Sequence, residues 1–459
     1  MSCISAWPYS RSLLSGSVFT VVLLLLMAGC GGDGPEQVQS HLLGRITVEG
    51  GSDFEGFRVL VVNVDGRAID TLGQAVTAAD GEFSLTVTAP ERGVYPLMIW
   101  GRNGTERLAS TDYVVVDGDS GTLRAEFPLK GRSIQVRSDE NTALRTYRNT
   151  IAQHRRTLVK RLRTETVDSN TISQGVRQTS SMLWSLQKTF PGTYASQLGA
   201  AESLSLLDGW HDSLVVARAR GIDASSPRYV EVAQIARRAA SRLHGQRAAL
   251  DVLDTFAARA QSEEQRAGIQ AARIQLFIDS AEVEAALSAA HRLRNEYPDT
   301  KWANWAERVQ YEINNLQAGM QAPPFEARTV DGDSISLLGF AGHPVVLEYF
   351  RPGSNLYQQQ LATRNALYER TRSDSVAFVS ISVSPDTLLY RAFARNQVLP
   401  GREVIAPKGM DDPLVAAYNV ADVPMRVLID ATGRIVGRYP GSAFFAFQED
   451  FARLLRADE

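Results

Sequence analysis

The chain has 459 residues, of which 44% are hydrophobic and 22% charged, with a formal net charge of −3. That length predicts two to four domains rather than one. The near-balanced charge argues against nucleic acid as a partner, and no metal site or cofactor is expected.

The only cysteines are Cys3 and Cys30. Residues 1–29 read as a secretory signal. A weakly basic start with Arg11 precedes Leu13-Leu14 and an apolar run from Val18 to Met27, which is short for a retained membrane span. The run ends Leu26-Met27-Ala28-Gly29-Cys30, which resembles a bacterial lipobox. The resemblance implies cleavage before Cys30 and acylation of its thiol and amine. The other readings are a plain cleavable signal or a retained anchor. Acylation would hold the protein at the cell envelope, on the periplasmic face or the outer membrane, with the membrane as a partner through the acyl chains on Cys30. It would also leave the mature protein without a free thiol. Residues 30–40 read as a flexible tether.

Residues 41–135 read as all-β. Phe83, Leu85 and Val87 alternate with Ser84, Thr86 and Thr88, the period of a half-buried strand. Further strands are expected over 58–64, 95–100, 112–116 and 122–127. Asp65-Gly66, Asp80-Gly81, Asn103-Gly104 and Asp117-Gly118 are hairpin signals. Strands at this spacing predict a small β-sandwich, acting as a spacer or docking module.

Residues 138–317 switch to helical periodicity. Val232, Ile235, Ala239 and Leu243 share one face, as do Ile274, Phe277 and Ile278, and Val309, Ile313 and Leu316. Two similar breaks, at Phe190-Pro191 and Tyr297-Pro298, resemble those of tetratricopeptide-type hairpins. An irregular helical domain is the equal alternative, because no fixed period emerges. The run His154 to Arg163 is basic. It reads as the solvated face of a helix with Leu158 and Leu162 turned inward, in preference to a contact with anionic lipid.

From about residue 320 to 459, strands alternate with helices and end in a hairpin and a helix, which predicts a mixed sheet between helical layers. The central stretch is VVLEYFRPGSNLY, residues 345–357. An apolar strand breaks at Pro352-Gly353 and enters a helix. Ser354 or Asn355 can cap that helix, and Asn355 with Gln358 has capping-box spacing. The strand, the turn and the helix N-terminus resemble the active-site segment of thioredoxin-like proteins, specifically the membrane-tethered TlpA/ResA and peroxiredoxin-like (AhpC/TSA, redoxin) group. Ala322-Pro323-Pro324-Phe325 and Tyr418-Asn419-Val420 through Pro424 to Asp430 match further segments in the same order. The fold expected is therefore multidomain α+β: an N-terminal β-sandwich, an all-α middle, and a C-terminal thioredoxin-like domain.

The resemblance implies that Glu348 matches the family's buried acid, Tyr349 and Phe350 its aromatics, and Pro424 its cis-proline. Ser354 and Tyr357 match the two cysteines, so both thiols are missing. Thiol exchange needs a nucleophilic thiolate and a resolving thiol, and neither a hydroxyl nor a phenol supplies them. Ser354 as a hydrolytic nucleophile lacks a base, since His343 precedes the strand and belongs at the far end of the sheet. Helix capping is its expected role. No catalytic residue is expected. Glu348 reads as a buried carboxylate paired with a neighbour such as Arg351 or Arg426. The loop at Val423-Pro424 and the surface around Tyr357 could hold an extended peptide by strand-like pairing. The leading expectation is a binding or scaffolding protein of the envelope. The alternative is an oxidoreductase-family enzyme acting through other groups, such as Glu348, or through a partner's thiols.

Overall fold

The computed structural model describes residues 37–65, 68–131, 134–164, 168–371 and 376–457. Cys3, Cys30 and the signal segment lie outside the described residues. The chain divides into two compact units, 1–138 and 139–459.

Among the described residues, the first unit holds eight strands: β1 (Val38–Val48), β2 (Arg58–Asp65), β3 (Ala68–Val76), β4 (Glu82–Ala89), β5 (Gly93–Trp100), β6 (Arg107–Val115), β7 (Ser120–Phe127) and β8 (Val136–Arg137). They form two four-stranded sheets, ordered β4-β1-β7-β8 and β3-β2-β5-β6. One hydrophobic cluster draws on both, with Leu42, Leu85 and Leu123 from one sheet and Val59, Val61, Leu97 and Ile99 from the other. Strand β1 starts at Val38, so the last residues of the expected tether are strand. The four Gly-containing turn pairs divide in function. Strands β2 and β3 pair across Asp65 and Ala68, and β5 and β6 pair around Asn103-Gly104. The turns at Asp80-Gly81 and Asp117-Gly118 instead carry the chain from one sheet to the other. A Gly-containing pair specifies a sharp reversal; which strand the chain then pairs with depends on where its apolar side chains find a core.

Among the described residues, the second unit begins with eight helices: α1 (Asp139–Thr164), α2 (Ser169–Thr189), α3 (Tyr194–Leu207), α4 (Asp212–Ala219), α5 (Tyr229–Arg259), α6 (Glu263–Asp279), α7 (Val283–Glu296) and α8 (Lys301–Asn315). Helix α5 is broken at Gly245, whose φ of 78° is left-handed. Val232, Ile235 and Ala239 are buried, but Leu243 is exposed because it stands at that break. In α1, Leu162 is 61% exposed rather than turned inward.

The five-stranded sheet follows in the order β13-β12-β11-β14-β15. It consists of β11 (Val345–Phe350), β12 (Ala377–Ser382), β13 (Arg402–Ile405), β14 (Met425–Ile429) and β15 (Ile435–Pro440), preceded by the short pair β9 (Glu326–Arg328) and β10 (Ser334–Ser336). Helices α9 (Asn355–Arg370) and α10 (Thr387–Asn396) connect the parallel strands β11, β12 and β13; α11 (Pro413–Ala417) and α12 (Phe444–Ala457) complete the layers. Alternation along the fully buried β11 sends Val345, Leu347 and Tyr349 into one cluster, while Val346 and Phe350 enter clusters on the other face. Glu348 lies on that second face, between the two apolar clusters.

The helical region is docked firmly on this sheet layer. Leu316, just after α8, is buried in the cluster of Leu347 and Tyr418. Glu312 binds Arg438 at 2.8 Å and accepts from Asn419 Nδ2 at 3.0 Å. The Tyr311 hydroxyl donates to the Ala417 carbonyl.

Candidate functional site

The site begins with cross-strand register. Glu348 on β11 faces Arg426 on antiparallel β14 and Ser380 on parallel β12. Arg426, Glu348 and Ser380 therefore form one row across the sheet, an opposite-charge pair flanked by a hydroxyl. Helix α9 crosses this row and presents Tyr357, Gln360 and Arg364 from one face, three and seven residues apart.

The contacts are tight. Glu348 Oε2 accepts from Arg364 Nε at 2.9 Å and from the Tyr357 hydroxyl at 3.0 Å; Oε1 accepts from Arg426 Nε at 2.8 Å. Arg426 Nη2 also lies 2.8 Å from Oε1, but is too poorly aligned for a second hydrogen bond. Arg364 donates on to Ser380 Oγ at 2.9 Å and to the Pro400 carbonyl at 2.8 Å. Arg426 donates to Gln360 Oε1 at 2.9 Å, and Gln360 donates to the Gly441 carbonyl at 2.8 Å. Glu348, Arg364 and Arg426 are each at most 1% exposed.

This buried cluster holds two cations and one anion. Burying a charge without a partner is costly, so the excess positive charge needs compensation. Aromatic faces supply part of it. Arg426 sits 4.2 Å from the Phe444 ring centroid and Arg364 5.1 Å from that of Phe378. Burial alone would raise the Glu348 pKa. The two guanidiniums, with hydrogen bonds from Arg364 and Tyr357, outweigh it and hold the carboxyl below its ordinary range. Burial, followed by the adjacent Glu348 charge, pushes the Tyr357 phenol well above its ordinary value. At neutral pH the cluster is a carboxylate bonded to a neutral phenol. Neither group is poised to exchange a proton.

Ser354 is the N-cap of α9, its Oγ accepting from the Tyr357 N–H at 3.3 Å. The Asn355–Gln358 capping box is not formed, because Asn355 is already helical and Gln358 Nε2 donates to the Pro352 carbonyl. Tyr357 is fully buried, stacked on Phe350 with ring centroids 4.4 Å apart. It therefore offers no surface to a peptide, contrary to expectation. The peptide bond between Val423 and Pro424 is cis. Gly441 approaches Pro424 and Leu356 so closely that an added Cβ would stand 2.7 and 2.8 Å from their side chains. The Val423 N–H donates to the Asp422 carboxylate at 2.9 Å, so the donor needed for strand-like pairing is already engaged by an exposed side chain. Arg351 is exposed and outside the cluster. Of the two partners expected for Glu348, Arg426 is present and Arg351 is replaced by Arg364. The signal for Arg364 was available: a cation in the inward stripe of α9, in helical register with Leu361, Leu367 and Tyr357.

No family model matches the chain. Two characterised proteins are similar to part of it. Thiol-disulfide oxidoreductase ResA of Halalkalibacterium halodurans is 22% identical over 142 residues, 31% of this chain and 79% of that protein. Thioredoxin-like protein YneN of Bacillus subtilis is 28% identical over 146 residues, 31% of this chain and 82% of that protein. Over about a third of its length, this chain is similar to thioredoxin-like proteins. Among solved structures, it is similar to the thioredoxin domain of a thiol-disulfide oxidoreductase from Bacteroides vulgatus (19% identity, 30% of this chain, 99% of that one, TM-score 0.27). It is also similar to a thiol-disulfide oxidoreductase from Bacteroides fragilis (18% identity, 28% of this chain, 98% of that one, TM-score 0.27). In the thioredoxin-like domain of this chain, the residues that the sequence resemblance places at the redox pair are a helix cap and a buried phenol.

Proposed function

We propose that the protein is a lipid-anchored component of the cell envelope whose thioredoxin-like domain binds or scaffolds a protein or extended peptide without exchanging electrons. In this reading, acylated Cys30 tethers a β-sandwich, the helical region and the thioredoxin-like domain in that order. Among the described residues, no helix is long and apolar enough to cross a membrane.

The observation that carries the reading is the Tyr357–Glu348 hydrogen bond. It joins the residue at the second cysteine position to the family's acid and ties both into a packed ion cluster. An acid held ionised by two arginines does not shuttle protons near neutral pH, which argues against an enzyme working through Glu348. A binding surface remains beside Pro424, where Leu356 is 43% exposed and the Asp422 carboxylate can yield the Val423 N–H to a ligand.

Insulin reduction by the mature protein tests this. The expected result is turnover no faster than the dithiothreitol background. Turnover clearly above that background would replace the reading with that of an oxidoreductase.

A further inference from the structure

The basic run of α1 belongs to a larger feature. Helix α1 has acids only at Asp139 and Glu140, in its first turn. From residue 141 to the end of α2, nine cationic side chains (Arg145, Arg148, Arg155, Arg156, Lys160, Arg161, Arg163, Arg177 and Lys188) stand against two acids, Glu165 and Asp168. The complete chain carries a net charge of −3, so this hairpin is a basic island in an otherwise acidic protein.

The island is also amphipathic on its outer side. At about 100° per residue, Leu162, Arg155, Val159, Arg163, Arg156 and Lys160 follow one another around roughly 160° of the α1 circumference. All six are exposed, and the aliphatic pair stands out, with Val159 47% and Leu162 61% exposed. The half-buried residues of this stretch, His154, Leu158 and Arg161, lie on the opposite side. Attraction of cations to the C-terminal end of the helix accounts for Arg161 and Arg163. It does not account for Arg155 and Arg156, about two turns earlier, nor for two aliphatic side chains left in water.

We propose that this face of the α1–α2 hairpin rests on an anionic phospholipid surface. The guanidinium and ammonium groups engage lipid phosphates, while Val159 and Leu162 enter the headgroup boundary. This is the chemistry of an interfacial basic amphipathic helix. Charge complementarity identifies the partner, and the exposed aliphatics favour a lipid boundary over a purely ionic polymer. The proposal does not rest on the reading of the thioredoxin-like domain, and the experiment removes the acyl anchor so that the two can fail separately.

The test uses the mature chain carrying Cys30→Ala, which cannot be acylated, and measures its partition onto vesicles. Phosphatidylcholine vesicles are compared with vesicles in which phosphatidylglycerol replaces part of the phosphatidylcholine. The expected result is binding at least about a hundredfold tighter to the anionic vesicles, falling steeply as salt is raised. Replacing Arg155, Arg156, Lys160 and Arg163 together by Gln abolishes the preference without changing the melting temperature. Leu162→Gln weakens binding to the anionic vesicles and leaves its salt dependence in place. Equal partition onto the two vesicles, or a preference surviving in the quadruple variant, overturns the proposal. So does equally tight binding to soluble polyglutamate, which would mark the face as a site for an acidic protein. Should the quadruple variant fail to fold, the salt titration of the otherwise unaltered chain decides by itself.

Discussion

The Tyr357 hydroxyl donates to Glu348 Oε2 across 3.0 Å, joining the first turn of α9 to the centre of β11. Strand and helix are thereby locked together at the position where a thioredoxin-like protein would keep its reactive pair. A chain that needed α9 free to present a nucleophile would gain nothing from this bond; a chain that needs a rigid platform would.

Tyr357→Phe removes the bond and keeps the stacked ring. We expect a loss of about 1.5–3 kcal/mol in chemical denaturation, the range for a hydrogen bond to a charged group. Tyr357→Ala also empties the space beside Phe350 and Phe393, raising the cost to about 3–5 kcal/mol. A Tyr357→Phe variant as stable as the unaltered protein would show that the hydroxyl contributes nothing.

Glu348→Gln leaves two buried guanidiniums without their anion and is expected to cost about 3–5 kcal/mol. Arg426→Met should cost less, because Glu348 keeps Arg364 and the cluster becomes neutral. Denaturant midpoints of the two variants give the order directly; a reversed order would mean that the excess positive charge is not a burden.

The lowered Glu348 pKa fixes the sign of a pH effect. The folded protein keeps this carboxyl ionised where the unfolded chain would protonate it, at about pH 4.5. Its contribution is thus fully present above that pH and is lost as pH falls through the lower, folded value. Melting temperatures measured downward from about pH 5 should fall, and Glu348→Gln should flatten that slope. An unchanged slope would assign the acid sensitivity to other carboxylates.

Ser354→Ala removes only a helix cap. The expected cost is about 0.5–2 kcal/mol, with no change in affinity for any ligand of the domain. Asp422→Ala releases the Val423 N–H and should tighten binding of an extended peptide, read by fluorescence anisotropy. Weaker binding would make Asp422 part of the recognition surface instead.

Leu316→Ala tests the docking of the helices on the sheet. Because Leu316 packs with Leu347 and Tyr418, a loss of about 2–5 kcal/mol is expected. It should lower the stability of the helical and thioredoxin-like regions together. Separate transitions, with only one displaced, would show that the two fold independently.

Much of the C-terminal domain was legible in the residues themselves. The mostly apolar, buried β11, the turn at Pro352-Gly353 and the capping Ser354 are local signals, decided within a few residues by backbone sterics and hydrogen-bonding need. The Phe83–Val87 alternation and the turn pairs of the first unit belong to the same class. The partner of a buried charge is different, because it depends on register between strands and on which helical face crosses them. Arg426 lies 78 residues beyond Glu348 and meets it only through the β11–β14 pairing. Arg364 could have been read as a cation in an apolar stripe, but its target could not. The same holds for the turns at Asp80-Gly81 and Asp117-Gly118, whose residues specify a reversal while the core decides which sheet receives the next strand. The absence of cysteine beyond Cys30 was written in the sequence. That the phenol of Tyr357 turns inward to bond the acid required the tertiary structure, because burial and partner choice are properties of packed elements and not of neighbours along the chain.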